Sequence, residues 1–399
     1  MFTRHLVSLV CAVSAALASG CARPTTTAAP EPGLGQALQH LVDGLVQSNA
    51  TVRGAAMHVD SPRLGLLWEG AAGLADPSTG EAMTPDHPVR IASNTKTFVA
   101  VAILRLVEQG RIGIDDPIAD HLPEAHTALL VSGGYAPDRI TVRHLLTHTS
   151  GLYDHSDSER YAERIMADPS HRWTPTEQLT AAIEWGKPWG MPGEVYHYCD
   201  TGYVLLGQIL ERTTGASLAK AARQLVGFDA LDLASTWWET LEPRPAGLRG
   251  RAHQFLGDTD THDFDPSLDL YGGGGLVCTV GDLARFHRAA LTGELYEDPA
   301  TLATMLSTIE GVGAAADASE RSLAPGAYRM GLWVVDVDGR EVYWHSGFWG
   351  TVATYTPSLD LTVTATLNQH DSRVLIDQLV RQVVRLAAEA SARSERSTS

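Results

Sequence analysis

Two short apolar-rich runs, residues 55–60 and 64–71, flank Ser61-Pro62-Arg63, and this pattern predicts a β-hairpin. Between 97 and 109 the period changes. Phe98, Val99, Ala102, Ile103, Leu106 and Val107 recur at helical spacing until Gly110 ends the run. Helical patterns dominate to about residue 225, notably at 142–146, 176–185 and 202–212. Strand-like runs return at 328–337, 341–344, 350–357 and 361–368, and an amphipathic helix at 371–388 precedes a polar tail from Ser391. No internal repeat is visible. Strands at both ends with helices between predict an α/β protein of the α+β kind: one antiparallel sheet flanked by helices, plus a helical insertion.

The first 20 residues stand apart. Arg4 precedes an apolar run of about 12 residues at 6–17, too short to span a bilayer. Ala18-Ser19-Gly20-Cys21 follows, the layout of a secretory signal peptide, and small residues directly before Cys resemble a bacterial lipoprotein signal. The expected organisation is a signal at 1–20, lipidated Cys21, a Pro/Thr/Ala-rich tether at 21–37, a folded domain at 38–390 and a polar tail at 391–399. Such a chain would sit on the outer face of a bacterial membrane; a plain cleaved signal would leave it secreted.

Composition narrows the partners. Of 399 residues, 30 are Lys or Arg and 47 are Asp or Glu, a balance of −17 with no basic run. Nucleic acid and anionic lipid surfaces both need a concentrated cationic face, so neither is expected, and the membrane enters only through the anchor. A small molecule or peptide, met by a monomer, is left as the expected partner. The 16 histidines invite a metal, but His253, His262 and the carboxylates at 258–263 match no common ligand spacing. No metal or cofactor is expected.

The chemistry begins at Ser93-Asn94-Thr95-Lys96. Ser and Lys three apart at a helix start share one face, where the helix dipole favours an anion forming on the hydroxyl. A Lys in a partly dry site loses pKa and can serve as base. The pattern alone is weak, since Ser217-Leu218-Ala219-Lys220 fits it too. Three further motifs follow in order: Tyr198-Cys199-Asp200, Gly274-Gly275-Leu276-Val277-Cys278, and His345-Ser346-Gly347. Order and spacing together resemble the serine β-lactamase and penicillin-binding-protein superfamily, in its branch of class C β-lactamases, D,D-carboxypeptidases and related esterases. Connecting segments such as Arg143-His144-Leu145-Leu146-Thr147-His148-Thr149-Ser150-Gly151 extend the likeness.

The resemblance implies that Ser93 is the nucleophile and that Lys96 and Tyr198 share proton traffic. It places His345-Ser346-Gly347 on the strand beside the helix start, with the backbone amides of Ser93 and Phe348 as the oxyanion hole. A Tyr base requires a pKa well below about 10, a shift that a neighbouring Lys cation supplies. The resemblance makes Asp200, His345, Ser346, Gly347 and Phe348 the expected substrate-binding and oxyanion residues, and three departures bear on substrate. Asp200 replaces the usual Asn and is expected to pair with Lys96, keeping it charged and leaving Tyr198 as the better base. His345 replaces the usual Lys, and Phe348 stands where peptide-cleaving members often carry a hydroxyl; Ser346 keeps one. Cys199 and Cys278 occupy positions where the family commonly has Ser, on segments it brings together, and a disulfide between them is one expectation; two buried thiols are the other. His148 reads as structural, and Trp237-Trp238 and Trp349 as core or cleft lining. The resemblance implies a partner bearing an acyl group, such as a cell-wall peptide, and the expected activity is a D,D-carboxypeptidase or related D-amino-acid peptide hydrolase working through acyl-Ser93. An esterase is the alternative, with a β-lactamase or a non-hydrolytic β-lactam sensor further off.

Overall fold

The computed structural model describes residues 32–309, 311–314 and 328–398. The signal segment and Cys21 lie outside them. The predicted hairpin is present: strand β1 (Gly54–Ser61) turns through Pro62–Leu64 into β2 (Leu66–Asp76), with Val59 opposite Trp68. A short β3 (Glu81–Ala82) follows, and the chain returns at its end as β4 (Trp333–Val337), β5 (Arg340–Gly347), β6 (Thr351–Thr356) and β7 (Leu361–Thr366). These form one antiparallel sheet in the order β4-β5-β6-β7-β1-β2-β3. β1 therefore pairs with β7 across the whole chain, Ala56 facing Thr366.

Alternation along these strands sets the layers. Leu361, Val363 and Ala365 of β7 pack with Val59 and Val352 against Leu38 and Val42 of helix α1 (Pro32–Ser48) and Val380 and Val384 of the C-terminal helix. Thr362, Thr364 and Thr366 point the other way; all three are buried, and the Thr364 hydroxyl donates to the Val280 carbonyl at 2.7 Å. On that second side lies α2 (Thr95–Glu108), whose residues 95–104 are all buried. A helix apolar all round belongs inside a molecule, and this one runs between the sheet and the helical insertion, where Phe98 packs with Phe228 and Phe286. That insertion includes α3 (Asp200–Thr214); α4 (Val280–Thr292) covers the sheet.

Three sequence expectations change. The tether is shorter than expected, because α1 already begins at Pro32. The tail is not separate, because α5 (Arg373–Thr398) carries the final helix through it. The strand expected over 328–337 starts only at Trp333, since Gly331 turns at φ +83°, where a Cβ would lie 2.8 Å from Ala100 on α2. Among the described residues no helix is long and apolar enough to cross a membrane.

Candidate active site

The site is built on a pinned turn. Val89–Arg90 pairs with Leu276–Cys278, which also pairs with Trp237–Trp238, and the Ile91 amide donates to the Leu276 carbonyl at 3.1 Å. The chain then makes one tight turn, Ala92–Asn94, before entering α2. Ala92 sits at φ +46°, a left-handed conformation costly for a residue with a Cβ, and it immediately precedes Ser93. The surroundings over-determine that turn. The Asn94 amide donates to the Ile91 carbonyl at 3.0 Å and to the Thr351 hydroxyl at 2.9 Å, and that hydroxyl donates to the Ile91 carbonyl at 3.1 Å. The end of β5 abuts the same carbonyl: a Cβ on Gly347 would lie 2.2 Å from the Ile91 oxygen, so no other residue fits there.

Lys96 occupies the first turn of α2 and is fully buried, while Ser93 is half-buried. Its ammonium donates to Ser93 Oγ at 2.9 Å and to the Gly273 carbonyl at 2.6 Å, and it lies 2.5 Å from Asp200 Oδ1. Gly273 belongs to the Gly-rich turn whose neighbour Gly272, at φ +122°, passes so near α3 that a Cβ would touch the Tyr203 carbonyl at 2.3 Å. The other Ser-x-x-Lys pair has none of this. Ser217 and Lys220 are both exposed. The expected Asp200–Lys96 pairing is thus present as a contact ion pair.

Its consequence for acid–base chemistry is different at Lys96 and at Tyr198. Burial would lower the Lys96 pKa, but the negative charges of Asp200 foremost and of Asp269 outweigh it, and the ammonium is held well above its ordinary value. Tyr198 lies against this ammonium, which is 5.0 Å from its ring centroid, and bonds with Lys96 and Ser93 lower its pKa. Burial nevertheless wins, helped by Asp200, and pushes the phenol up to about 12. The drop expected for Tyr198 does not occur. The resting site holds a charged Lys96, a neutral Tyr198 and a neutral Ser93, so one proton must leave this cluster before the hydroxyl can attack.

His345 is fully buried on β5. Its Nδ1 lies 2.9 Å from the Ser346 carbonyl, so Nδ1–H donates and Nε2 accepts from the Tyr328 hydroxyl at 3.3 Å. Burial, then Lys96, hold it well below its usual pKa. The expectation that it contacts substrate is replaced by a neutral support packed against Trp333, 4.7 Å between centroids, and Tyr198, 6.5 Å. Ser346 and Gly347 are half-buried; Phe348 is exposed, its ring on His370 and Trp349. Ala92, Asp269, Leu276 and Trp349 line a small cleft beside the nucleophile turn.

A family described as Beta-lactamase matches residues 38–385. The chain belongs to the Beta-lactamase family. It is 35% identical over 175 residues to esterase EstB of Burkholderia gladioli, a stretch covering 40% of this chain and 41% of that relative. Less than half of EstB is therefore compared. A D-stereospecific amidohydrolase from Streptomyces sp. superposes with TM-score 0.71 at 26% identity, over 86% of this chain and 97% of that one. The D-amino acid amidase of Ochrobactrum anthropi SV3 gives TM-score 0.73 at 24% identity over 90% and 99%, a likeness of fold. The chain thus has the β-lactamase fold.

The sequence missed what supports the Beta-lactamase-family site from behind. Asp154 is fully buried and accepts from the backbone amides of Asp200 at 2.9 Å and Ser156 at 3.0 Å; burial first, then Asp200, raises its pKa. Its place in the loop after the Thr-His-Thr-Ser-Gly segment carries no motif of its own. The expected disulfide is absent. Cys199 and Cys278 are free and buried, Cys199 against the Tyr153 carbonyl at 3.7 Å and Cys278 among Asp282, Thr236 and Arg285. Trp237 and Trp238 are buried in the small sheet. His253 and His262 stack on each other, and no metal-binding cluster occurs among the described residues.

Proposed function

We propose that this protein hydrolyses amide bonds of D-amino-acid amides or peptides through an acyl-Ser93 intermediate. The single observation that carries the chemistry is Ser93 Oγ held 2.9 Å from Lys96 Nζ, with Asp200 behind the ammonium and Tyr198 against it. Once the Lys96–Tyr198 pair has given up one proton to solvent, Ser93 attacks the carbonyl, its proton passes into that pair and on to the leaving amine, and water then releases the acyl group. The amides of Ser93 and Phe348, at the helix start and strand end, are the proposed oxyanion donors. The D-amino-acid reading draws support from the Streptomyces amidohydrolase. Within it, D,D-carboxypeptidase action is the less favoured form, because His345 is buried and neutral and brings no cation for a terminal carboxylate.

Ester hydrolysis is the second reading, favoured by the EstB match. Export with a lipid on Cys21 completes the proposal; the half-life of the membrane-bound form in cells carrying Cys21→Ala tests it. Turnover of D- and L-phenylalanine amide, a D-Ala-D-Ala peptide and p-nitrophenyl esters separates the substrate readings. Preferential cleavage of the D-amide supports the first; turnover of esters alone selects the second.

A further inference from the structure

We propose that His148 is a positioning residue for Tyr198, holding the chain on both sides of the phenol through one backbone and one side-chain bond. The inference rests on the proposed role of Tyr198 in proton transfer. The His148 carbonyl accepts from the His197 amide at 2.9 Å, and the His148 ring accepts at Nδ1 from the Cys199 amide at 3.1 Å. The two residues flanking Tyr198 are therefore tied to the same residue 50 positions earlier. The imidazole also packs on the Tyr198 ring, with centroids 4.2 Å apart, and on Tyr328 at 4.5 Å and Tyr203 at 5.1 Å. Reaching both amides requires an unusual backbone. His148 adopts φ +58°, a left-handed conformation that a residue other than Gly or Asn enters at a cost.

An Nδ1 that accepts a hydrogen bond carries no proton, so the bond requires the neutral ring protonated at Nε2. The site maintains that form: burial, then the Lys96 cation, lower the pKa of His148 well below its ordinary value. The His148 ring makes no hydrogen bond to Ser93, Lys96 or the Tyr198 phenol. It fixes where the phenol stands, and an error of about 1 Å in such a group costs on the order of 100-fold in rate.

The test compares His148→Gly with His148→Asn in the full-length protein. Both tolerate the left-handed backbone, and Asn Oδ1 stands one bond from Cγ, as Nδ1 does, so only Asn restores the acceptor. Folding is checked by thermal unfolding and circular dichroism; kcat and KM are measured on whichever substrate the wild type turns over. His148→Gly should lower kcat by about 100-fold with KM within threefold, and His148→Asn should recover at least tenfold of that loss. Should the Gly variant not fold, His148→Asn alone must keep kcat within about tenfold of wild type. A folded Gly variant with more than a third of wild-type kcat, an Asn variant no better than Gly, or a loss confined to KM overturns the inference. Failure of the functional reading itself shows separately, as turnover that survives Ser93→Ala.

Discussion

Replacing Asp200 by Asn removes the charge that most strongly raises Lys96 while keeping an oxygen on its ammonium. The two charged atoms are 2.5 Å apart. At an effective dielectric of about 20 such a pair attracts by about 7 kcal/mol, or about five pKa units. Water reaches the Asp200 side chain, which is 19% exposed, and the Asn oxygen still accepts, so the expected change falls in the range of about 1–3 units found for close charge pairs. The sign follows from the pair: Asp200 raises both Lys96 and Tyr198. Without it the cluster gives up its proton at lower pH. The acidic limb of the kcat/KM profile should therefore move down by about 1–3 units, read between pH 5 and 10 on an ester or amide substrate. The Asn amide also supplies a donor that the carboxylate lacks, so acylation by an amide-bearing penicillin should quicken. A limb that stays in place or moves up would refute the reasoning.

Two further outcomes follow from packing and titration. Gly347→Ala pushes a methyl into the Ile91 carbonyl and the Thr351 hydroxyl, at 2.2 and 2.3 Å. It should cost about 1–3 kcal/mol by denaturant unfolding and at least tenfold in kcat, since the same contact seats the Ser93 turn. Acid should weaken the fold through its buried histidines: His148 and His345 are held well below their ordinary pKa, and burial lowers His155 and His287 to about 4. A depressed pKa stabilises above the unfolded value near 6.5, and that stability is lost as pH falls towards 4, by about 1.4 kcal/mol per pH unit for each group. The melting temperature should drop across that window, and His287→Gln should flatten the drop; an unchanged slope in the variant would remove His287 from the account.

Local pattern was enough for the elements that bury one clean face. The hairpin, the Thr- and Val-rich strands β6 and β7, and the start of α2 at Ser93-x-x-Lys96 all read directly, and ordered motifs brought Tyr198, Asp200 and His345 to one place. Depth of burial did not read. It reverses the expected direction at Tyr198, outweighed at Lys96 by the surrounding charges, and turns His345 into a support beneath the phenol. Register across the fold was equally hidden: Cys199 and Cys278 share a motif logic but lie in different surroundings. Helix α1 was obscured by its Pro-Gly start, and the end of α5 by polar composition, because both depend on an apolar stripe meeting the far side of the sheet.

The central claim is that Ser93 carries the acyl group. Intact-mass measurement after treatment with a fluorophosphonate, followed by peptide mapping, tests it most directly. The account predicts one adduct, on the peptide containing Ser93, and none in a folded Ser93→Ala variant, which also loses all turnover. An adduct on another serine, or labelling and turnover that persist without Ser93, would contradict it.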